Sequence, residues 1–595
     1  MKVIVVRRLF LFAVVSVLLA LVLVVSKAHA SIGFYVGKEH TEDGSVMLGG
    51  FGHEPSSHWL EVVPRQEHPE GATVEVGVTE DSSIPGELIE IPQASVTNKY
   101  ITSNYSEYSG FPPPLTNGGL NEHNVAARDI WSPSREELVE MTPEPQRGPN
   151  YSDLARMAME RASSAREAVE IVGGLIDEHG YSTYGGNSHL FADEDEGWVF
   201  INYAGGEGLW AAERLGPDDV RVSYPGYIQE FPTDFEEDPD YMGSENLVDF
   251  AAEQGWWDPD SGEAFDLQEV YGEPFPGEDA DNFYELARMP LEREQELLEL
   301  GPVSLEDMLA LVRDPRWSTD LSGYGQIAHL RPEVEDELGV LWAAVTGAVT
   351  TPYVPIHLGV EDVPPEYKQH RYMTKDADAT FLDPEYAPLE GTRYATRSFK
   401  RLMYHTCENP EEFLPRVTGE IESLETEMLA EQAEVERTAL EHYEAGDPEA
   451  AREYLTANAE GRFLEALDLG ERLANEVEAE TRERFGIRLP DQEVPEGSTV
   501  RPESQEMVRS EDAEGDEQVH CYVEGLADYP REHGSMAGAT EVEEVGQTDP
   551  DSIPETGGLP WLGSGYTVVF ALGIAGGALV TGLVWGVGKL ARTRD

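Results

Sequence analysis

Ser31 has both the residue type and the position for nucleophilic chemistry. It follows Ala28-His29-Ala30, a small-x-small motif of the kind that signal peptidase cleaves, at the end of an apolar run. Cleavage after Ala30 would make Ser31 the N-terminal residue. A serine with a free α-amine carries a hydroxyl nucleophile and a general base on the same residue. Ser31 is therefore the first candidate for acyl-transfer chemistry.

The segment before Ser31 has the features of an export signal. Arg7-Arg8 precede an apolar run over residues 9–25, and Lys27 leads into the cleavage motif. These features predict a signal peptide over residues 1–30, with an uncleaved signal anchor as the alternative. The paired arginines also resemble part of a twin-arginine signal, so the Sec and twin-arginine routes both stay open. Either route takes the body of the protein outside the cytoplasm.

The C-terminal region has the composition of a stalk followed by a membrane anchor. Residues 489–563 are rich in Glu, Asp, Gly, Ser and Pro without an apolar period, which predicts a disordered acidic stalk. Residues 564–588 are apolar or small and long enough to span a bilayer, and cations follow them in a short cytoplasmic tail over residues 589–595. We therefore expect a folded body over residues 31–488, tethered to the outer face of the cell membrane.

The charge balance limits the partners of the chain. Its 41 Lys and Arg residues against 115 Asp and Glu residues give a formal net charge of −74, with 40% hydrophobic residues. Such a surface repels nucleic acid, so we expect no nucleic-acid partner. A strong, diffuse negative charge on a chain with ordinary apolar content indicates a folded protein solvated in concentrated salt. We interpret the source as a halophilic archaeon.

Cysteine and histidine spacing gives no metal motif. Cys407 and Cys521 are the only cysteines and lie in regions of different composition, so the sequence predicts no disulfide framework and no Cys-rich metal site. We interpret Cys407 as an inert small hydrophobe. His53 and His58 are five positions apart with Pro55 between them, which does not fit a helical zinc motif. The sequence therefore predicts no cofactor.

The hydrophobic pattern predicts an α+β fold. Helical spacing predicts one helix over residues 151–178, and a longer Glu-, Ala- and Leu-rich region over residues 411–484, broken at Gly446-Asp447-Pro448, predicts a helical hairpin. Residues 227–281 are rich in Asp, Glu, Gly and Pro and are interpreted as surface insertions. Strands are predicted at residues 187–192, 198–203, 208–214, 325–330 and 341–345.

Several weak motifs follow one another in a fixed order along residues 31–367. Ser31 is followed in register by Val36-Gly37-Lys38 and Asp43-Gly44-Ser45, and Gly119-Leu120-Asn121-Glu122 lies further along. In this order and spacing the chain resembles the dipeptidase A family of N-terminal-nucleophile hydrolases, which includes the secernins. The later matching residues are Asn187, Asp193, Glu196, Trp198, Gly206, Trp210, Ala212 and Arg214, then Gln326 to Pro332, Leu341-Trp342, Tyr353 to Val360, Pro365 and Tyr367.

The resemblance implies a four-layer αββα sandwich that hydrolyses short peptides or amides without a metal. It implies that Ser31 is the nucleophile and that its α-amine is the base; an α-amine titrates near neutrality, with a typical pKa of about 7.7–8.0. Asn187 is implied as a side-chain donor to the oxyanion, a role worth about 2.7–4 kcal/mol. Asp43 is implied as an acid near the amine, with a turn role in Asp-Gly as the alternative. Asn121 is either catalytic or structural.

Two positions depart from the family pattern. Ser31 stands where the family has cysteine, and a hydroxyl needs more assistance from the base than a thiol does. The run Gly49-Gly50-Phe51-Gly52-His53 stands where the family has an Arg-Asn-x-Asp-like run that positions the nucleophile's amine and the substrate. Either His53, Glu54 or His58 compensates, or the site no longer turns over.

These observations lead to an expected function and its rivals. We expect an extracytoplasmic, membrane-tethered dipeptidase or peptidase that hydrolyses short peptides through Ser31. The alternatives are a catalytically inactive cell-surface binding protein on the same scaffold and an amidase that acts on non-peptide amides. The sequence leaves the oligomeric state and the side-chain preference open.

The position of the mature N-terminus tests the expected chemistry first. Mass spectrometry of the protein purified from its native membrane should find a chain that begins at Ser31, because only cleavage after Ala30 frees the α-amine. Any other N-terminus would leave Ser31 without a free amine and would contradict the mechanism.

Overall fold

A computed structural model describes residues 31–53, 58–105, 110–273, 289–315, 318, 322–332, 334–368 and 392–486. The predicted signal peptide, acidic stalk, transmembrane helix and cytoplasmic tail lie outside these ranges. Within them, no helix is both long and apolar enough to cross a membrane.

Nineteen strands, eleven α-helices and two short 3-10 helices make up the regular secondary structure of the described part of the chain. The strands are β1 Ile32–Val36, β2 Val46–His53, β3 Trp59–Val63, β4 Gln66–Glu67, β5 Thr73–Val76, β6 Ile89–Pro92, β7 Val96–Thr97, β8 Tyr100–Tyr105, β9 Leu115–Thr116, β10 Gly118–Asn121, β11 Ala126–Ile130, β12 Asn187–Ala192, β13 Gly197–Asn202, β14 Trp210–Leu215, β15 Val220–Ser223, β16 Tyr241–Gly243, β17 Ser322–Leu330, β18 Val340–Ala344 and β19 Val354–His357. The helices are α1 Glu136–Met141, α2 Tyr151–Arg161, α3 Ala165–His179, α4 Leu247–Gln254, α5 Leu267–Tyr271, α6 Met289–Leu300, α7 Leu305–Arg313, α8 Pro365–Lys368, α9 Ala395–Cys407, α10 Pro410–Glu444 and α11 Pro448–Arg484.

Two large antiparallel sheets face each other. The six-stranded sheet has the order β15-β1-β2-β17-β18-β19, and the nine-stranded sheet has the order β16-β14-β13-β12-β11-β10-β8-β3 with β9 paired to β8. Apolar residues of β1, β2, β11 and β12 share the core between them. Helices α2 and α3 cover the outer face of the nine-stranded sheet, and α7 packs behind β2 on the other side. The α+β class is confirmed.

The contact between the sheets requires positions without side chains. Gly33 of β1 lies so close to the nine-stranded sheet that a Cβ there would be 2.7 Å from Leu190 Cδ1 and 2.9 Å from Ile130 Cδ1. Gly50 of β2, which pairs with Gly33, has φ +146°, and a Cβ there would be 2.1 Å from the carbonyl oxygen of Ile32. Both positions exclude a larger residue for backbone or packing reasons.

The predicted helix over residues 151–178 is wrong in one respect, because it is two helices. α2 ends at Arg161 and is followed by Ala162, whose backbone is extended; α3 starts after Ser164, whose side chain accepts a hydrogen bond from the backbone N–H of Glu167. A serine at this position satisfies a backbone N–H of the first helical turn with its side chain, and so it favours the start of a new helix. The predicted end is confirmed, since Gly180 has φ +82° and follows α3.

The strand predictions in the two sheets are confirmed within two residues at each end, except that β17 begins three residues before the predicted strand. The predicted surface insertions over residues 227–281 are partly wrong. Phe231, Phe235, Phe265 and Tyr271 from this region are buried in the main core, with short helices between them. The aromatic residues spread through this acidic, Gly- and Pro-rich segment were the sequence signal for its burial, but they have no regular period.

The predicted helical hairpin is confirmed. α10 and α11 are 35 and 37 residues long, and Gly446, with φ +79°, lies between them. Asp447 caps α11 by accepting a hydrogen bond from the backbone N–H of Ala450, and Pro448 occupies the first helical turn. This arrangement follows the common preference for proline at a helix start and glycine just past a helix end.

The interpretation of Cys407 as an inert small hydrophobe is wrong. Cys407 ends α9, is buried and is disulfide-bonded. The other cysteine of the chain, Cys521, lies outside the described residues. The sequence predicted no disulfide, and that prediction is wrong at Cys407.

Glu436 of α10 connects the helical hairpin to the six-stranded sheet. Its carboxylate accepts hydrogen bonds from Arg331 Nη1 at 2.9 Å and Nη2 at 2.7 Å, and it lies 3.4 Å from His357 Nε2. Burial alone would raise the pKa of Glu436, but the hydrogen bonds with His357 and Arg331 outweigh burial and lower the pKa to about 2.

We predict that Glu436→Gln lowers the free energy of unfolding at pH 7 by about 2–3 kcal/mol, because it leaves Arg331 without its carboxylate. The pKa of the group is lower in the folded than in the unfolded chain. Its contribution is therefore present above the ordinary value of 4.5 and is lost as the pH falls toward about 2. Urea denaturation at constant salt measures this difference.

Glu434→Gln on the same helix is the matched control. Glu434 is exposed and pairs only with neighbouring Arg437 in the described contacts, so its loss should cost less than about 0.5 kcal/mol. Equal effects of the two substitutions would contradict the role assigned to Glu436.

Candidate active site

Ser31 lies at the entry to the central part of the six-stranded sheet. It precedes β1 directly, and only 4% of its surface is exposed. Strand β1 is held on both sides, by β15 and by β2. The residue that would become the N-terminus after cleavage is thus enclosed by the sandwich, where water has little access.

Small hydroxyl groups surround the end of β1. Ser223 of β15 pairs with Gly33 and is buried. On the facing sheet, the hydroxyls of Ser132 and Ser188 lie 2.7 Å apart, and the N–H of Gly226 donates to Ser132 Oγ at 2.9 Å. These groups bring polar side chains from both sheets to the Ser31 end of the sandwich.

Asn187 lies at this same end of the sandwich. It begins β12, next to Ser188, whose hydroxyl donates to the carbonyl of Ile130 at 3.1 Å. The Asn187 side chain accepts a hydrogen bond from the Tyr184 hydroxyl at 2.8 Å and donates from Nδ2 to the carbonyl of Ser188 at 3.0 Å. These two hydrogen bonds fix the orientation of the Asn187 amide.

Side-chain alternation sets the direction of the Asn187 amide. Leu190 on the same strand faces Gly33 and hence the six-stranded sheet. His189 faces the opposite side, where its Nε2 lies 3.2 Å from the carbonyl of Tyr151 in α2. Because side chains alternate along a strand, Asn187 belongs to the same side as His189. Its amide therefore lies on the helix side of the strand end.

Asp43 does not lie beside Ser31. It is in the loop that joins β1 to β2, beyond Val36, and the five steps of extended chain from Ser31 to Val36 alone span roughly 17 Å. Its carboxylate accepts hydrogen bonds from the hydroxyl and N–H of Ser45 and lies 2.8 Å from His329 Nε2. The bond with His329 is the main reason that the pKa of Asp43 is lowered well below its usual range. The turn alternative fits this geometry.

Asn121 is also remote from Ser31. It lies at the β10–β11 hairpin, and β11 runs from there for four residues, roughly 13 Å, before it reaches Gly33 with Ile130. Its Nδ2 donates to the carbonyls of Met159 and Ala162 at 3.1 and 2.8 Å. Its Oδ1 accepts from the backbone N–H groups of His123 and Val125. All of its hydrogen-bonding capacity is used to hold the hairpin and the end of α2.

The structure reveals a buried cation that the sequence analysis missed. Arg128 of β11 has no exposed surface, and its Nη1 donates to the Tyr324 hydroxyl at 2.6 Å and to Asp129 Oδ1 at 2.7 Å. Its Cζ lies 5.2 Å from the centre of the Tyr324 ring. The available signal was an Arg-Asp pair inside the otherwise apolar run Ala126-Ala127-Arg128-Asp129-Ile130, since charged residues are almost never fully buried without a partner.

His58, one of the groups expected to compensate for the missing charges, belongs to the same cluster. It is fully buried, and its ring centre lies 5.4 Å from that of Tyr324 and 5.2 Å from that of Tyr105. The side chains of His53 and Glu54 lie outside the described residues. Within the described ranges, no group of three or more His, Cys, Asp and Glu side chains is arranged to hold a metal ion.

Comparison with known proteins finds a family model that matches part of the chain. Residues 31–294 match peptidase family C69, and the match starts at Ser31 itself. Over this segment, which is less than half of its length, the chain is similar to peptidase family C69. A probable dipeptidase B from Streptococcus pyogenes is 23% identical over 486 residues, which covers 72% of this chain and 88% of that protein.

Two further proteins are similar to parts of this chain. A probable dipeptidase B from Lactococcus lactis is 34% identical over 130 residues, or 22% of this chain and 26% of that protein. Among solved structures, a mutant of the conjugated bile acid hydrolase from Clostridium perfringens aligns with 55% of this chain and 92% of its own, at 11% identity and a TM-score of 0.26.

We predict that Asn121→Ala lowers the free energy of unfolding by about 2–4 kcal/mol, because it removes four hydrogen bonds in a buried site. Urea denaturation measures the change. The matched control is Asn246→Ala, which loses a single exposed hydrogen bond to the carbonyl of Glu207 and should cost about 1 kcal/mol or less. A folded Asn121→Ala protein of unchanged stability would rule out the structural role.

Proposed function

We propose that the protein is a peptidase that hydrolyses short peptides, dipeptides among them, through an N-terminal Ser31. The observation that carries the proposal is the position of Ser31, which is the first residue of the C69 match and enters the sandwich at the start of β1. The names of the similar proteins, probable dipeptidases, support the substrate class.

The first half of the proposed reaction forms an ester on Ser31. The hydroxyl oxygen attacks the carbonyl carbon of the scissile peptide bond, and the α-amine of Ser31 takes the hydroxyl proton directly or through a water. The tetrahedral intermediate collapses, and the C–N bond breaks. The leaving amine takes the proton back from the α-ammonium, which restores the base.

The second half releases the acyl group. A water molecule gives a proton to the α-amine and attacks the ester carbonyl, and the second tetrahedral intermediate expels the Ser31 oxygen, which is reprotonated. The family resemblance implies Asn187 as an oxyanion donor, but its amide lies on the helix side of the strand end, where Tyr184 holds its oxygen at 2.8 Å, so it is not assigned to these steps.

The proposed location is extracytoplasmic with a C-terminal membrane anchor. It rests on the composition of residues 1–30 and 564–588 alone. The assay of the proposed reaction therefore uses the processed protein that begins at Ser31, purified in concentrated salt to screen its negative charge.

We predict that this protein releases free amino acids from a panel of dipeptides and that Ser31→Ala lowers the rate at least about 1,000-fold. Ser31→Cys should retain activity, because the thiol is a stronger nucleophile in the same position. Addition of one glycine before Ser31 should also abolish turnover, since it converts the amine into an amide with no basicity. Quantitative amino-acid analysis measures each rate.

Ser163→Ala, the same chemical change at an exposed serine, is the control and should match the wild type. The rival function is a catalytically silent binding protein, which the glycine at position 50 favours because it leaves β2 without a cation there. Absence of amino-acid release by the wild type, or equal rates for the wild type and Ser31→Ala, would replace the peptidase proposal with that rival.

A further inference from the structure

The proposed nucleophile Ser31 lies in a row across the six-stranded sheet with Gly52 of β2 and Tyr324 of β17. Ile32 pairs with Phe51, and Gly52 pairs with Tyr324. Continuing the β1–β2 register by one residue places Ser31 opposite Gly52. Since neighbouring strands lie about 4.8 Å apart, the Cα atoms of Ser31 and Tyr324 are about 10 Å apart. Gly52 contributes no side chain to the space between them.

This row faces the nine-stranded sheet. Side chains alternate along a strand, so Ser31 shares the face of Gly33, which lies against Leu190 and Ile130. Tyr324 shares the face of Gln326, whose Nε2 donates to the carbonyl of Ala127 at 3.0 Å. The side chains of Ser31 and Tyr324 therefore both point into the space between the sheets.

Strand β11 crosses above this row. Its residue Ile130 lies over Gly33 of β1, and the carbonyl of Ala127 lies over Gln326 of β17. Arg128 falls between these two points and thus above β2, where positions 50 and 52 are glycines. It shares the inward face of Ile130, and its Nη1 lies 2.6 Å from the Tyr324 hydroxyl.

Charged and titratable groups surround Arg128 from several elements. Asp129 on β11 pairs with it at 2.7 Å, and His189 on β12 faces the helix side of the sheet. Tyr324 on β17, His58 before β3 and Tyr105 on β8 stack in one group, and Tyr105 bonds the Tyr151 hydroxyl of α2. His53 and Glu54 belong to the same neighbourhood in sequence, with side chains outside the described residues.

The positive charge of Arg128 acts on neighbouring groups although Asp129 is close. Burial lowers the pKa of His189 to about 4, and the charge of Arg128 adds to that lowering, against the effect of the bond with Tyr151. Electrostatic interactions are screened little in a water-poor interior. The charge of Arg128 should therefore also lower the pKa of the Ser31 α-amine, on the other side of Arg128.

We propose that Arg128 is a positioning residue for the Ser31 reaction, whose charge, delivered from the facing sheet, keeps the α-amine of Ser31 in its neutral, proton-accepting form at neutral pH. A nearby positive charge disfavours a second one, so the ammonium form is destabilised and the free base is favoured. The inference rests on the proposed function, since it assumes that the amine is the base. In this proposal Arg128 of β11 supplies the positive charge that the glycines of β2 do not provide.

The pKa of the α-amine tests the proposal without any substrate. The processed protein is pulsed with trace acetic anhydride between about pH 5 and pH 10, and mass spectrometry of the N-terminal peptide gives the fraction labelled. Arg128→Met should raise the pKa of the amine by about one unit, and Arg128→Lys should leave it within about 0.3 units. A folded Arg128→Met protein with an unchanged amine pKa would overturn the proposal.

Asp129→Asn tests the influence of Arg128 by a change that should move the pKa of the amine in the opposite direction. It removes the negative neighbour of Arg128, so the pKa of the amine should fall; a rise or no change would also overturn the proposal, even if Arg128→Met does not fold. The control is Arg156→Met, which removes an arginine that pairs with Asp153 on α2 and should not move the amine.

Activity then separates this inference from the proposed function. If dipeptides are hydrolysed, the acidic limb of kcat/KM against pH should shift upward with the amine in Arg128→Met, and Arg128→Lys should restore it. If the wild type hydrolyses nothing, the proposed function fails while the labelling result still decides whether Arg128 controls the amine.

Discussion

The close approach of the two sheets is the constraint on which the candidate site depends. Gly33 has no side chain, so Ile130 and Leu190 of the nine-stranded sheet reach the backbone of β1. Gly50 has a backbone conformation and a neighbouring carbonyl that exclude a Cβ. The space above β2 is thereby kept free of side chains from its own sheet, and a group from the opposite sheet fills it. Arg128 is that group, and its burial is acceptable because Asp129 and Tyr324 satisfy part of its hydrogen-bonding capacity.

The sequence predicts the elements well where one physical signal dominates. Proline, glycine and an Asp cap mark the α10–α11 turn, and two apolar-rich segments separated by an acidic turn mark β12 and β13, so these elements were predicted almost to the residue. The break between α2 and α3 was missed because apolar spacing continues through it. Only the capping side chain of Ser164 reveals the break, and a serine can equally sit on a helix surface.

The sequence predicts less of the site, because a site is made by contacts between distant segments. Short motifs around Ser31 identify it as a candidate in the sequence. Asp43 and Asn121 also lie in matching motifs, yet the β1–β2 loop and the β10–β11 hairpin carry them to places remote from Ser31, where their hydrogen bonds serve turns. The role of Arg128 depends on the angle at which β11 crosses β2, and no local pattern specifies that angle. The bond at Cys407 was missed for the same reason.

Trapping of the acyl group on Ser31 is the most direct test of the central claim. The processed protein is mixed with an activated ester of an N-acetyl amino acid, quenched in acid to prevent transfer of the acyl group to the amine, and its N-terminal peptide is fragmented in a mass spectrometer. The account predicts one acyl group on the hydroxyl of Ser31, formed at a rate that falls as the α-amine is protonated. An unmodified Ser31 with the acyl group on another residue would contradict it.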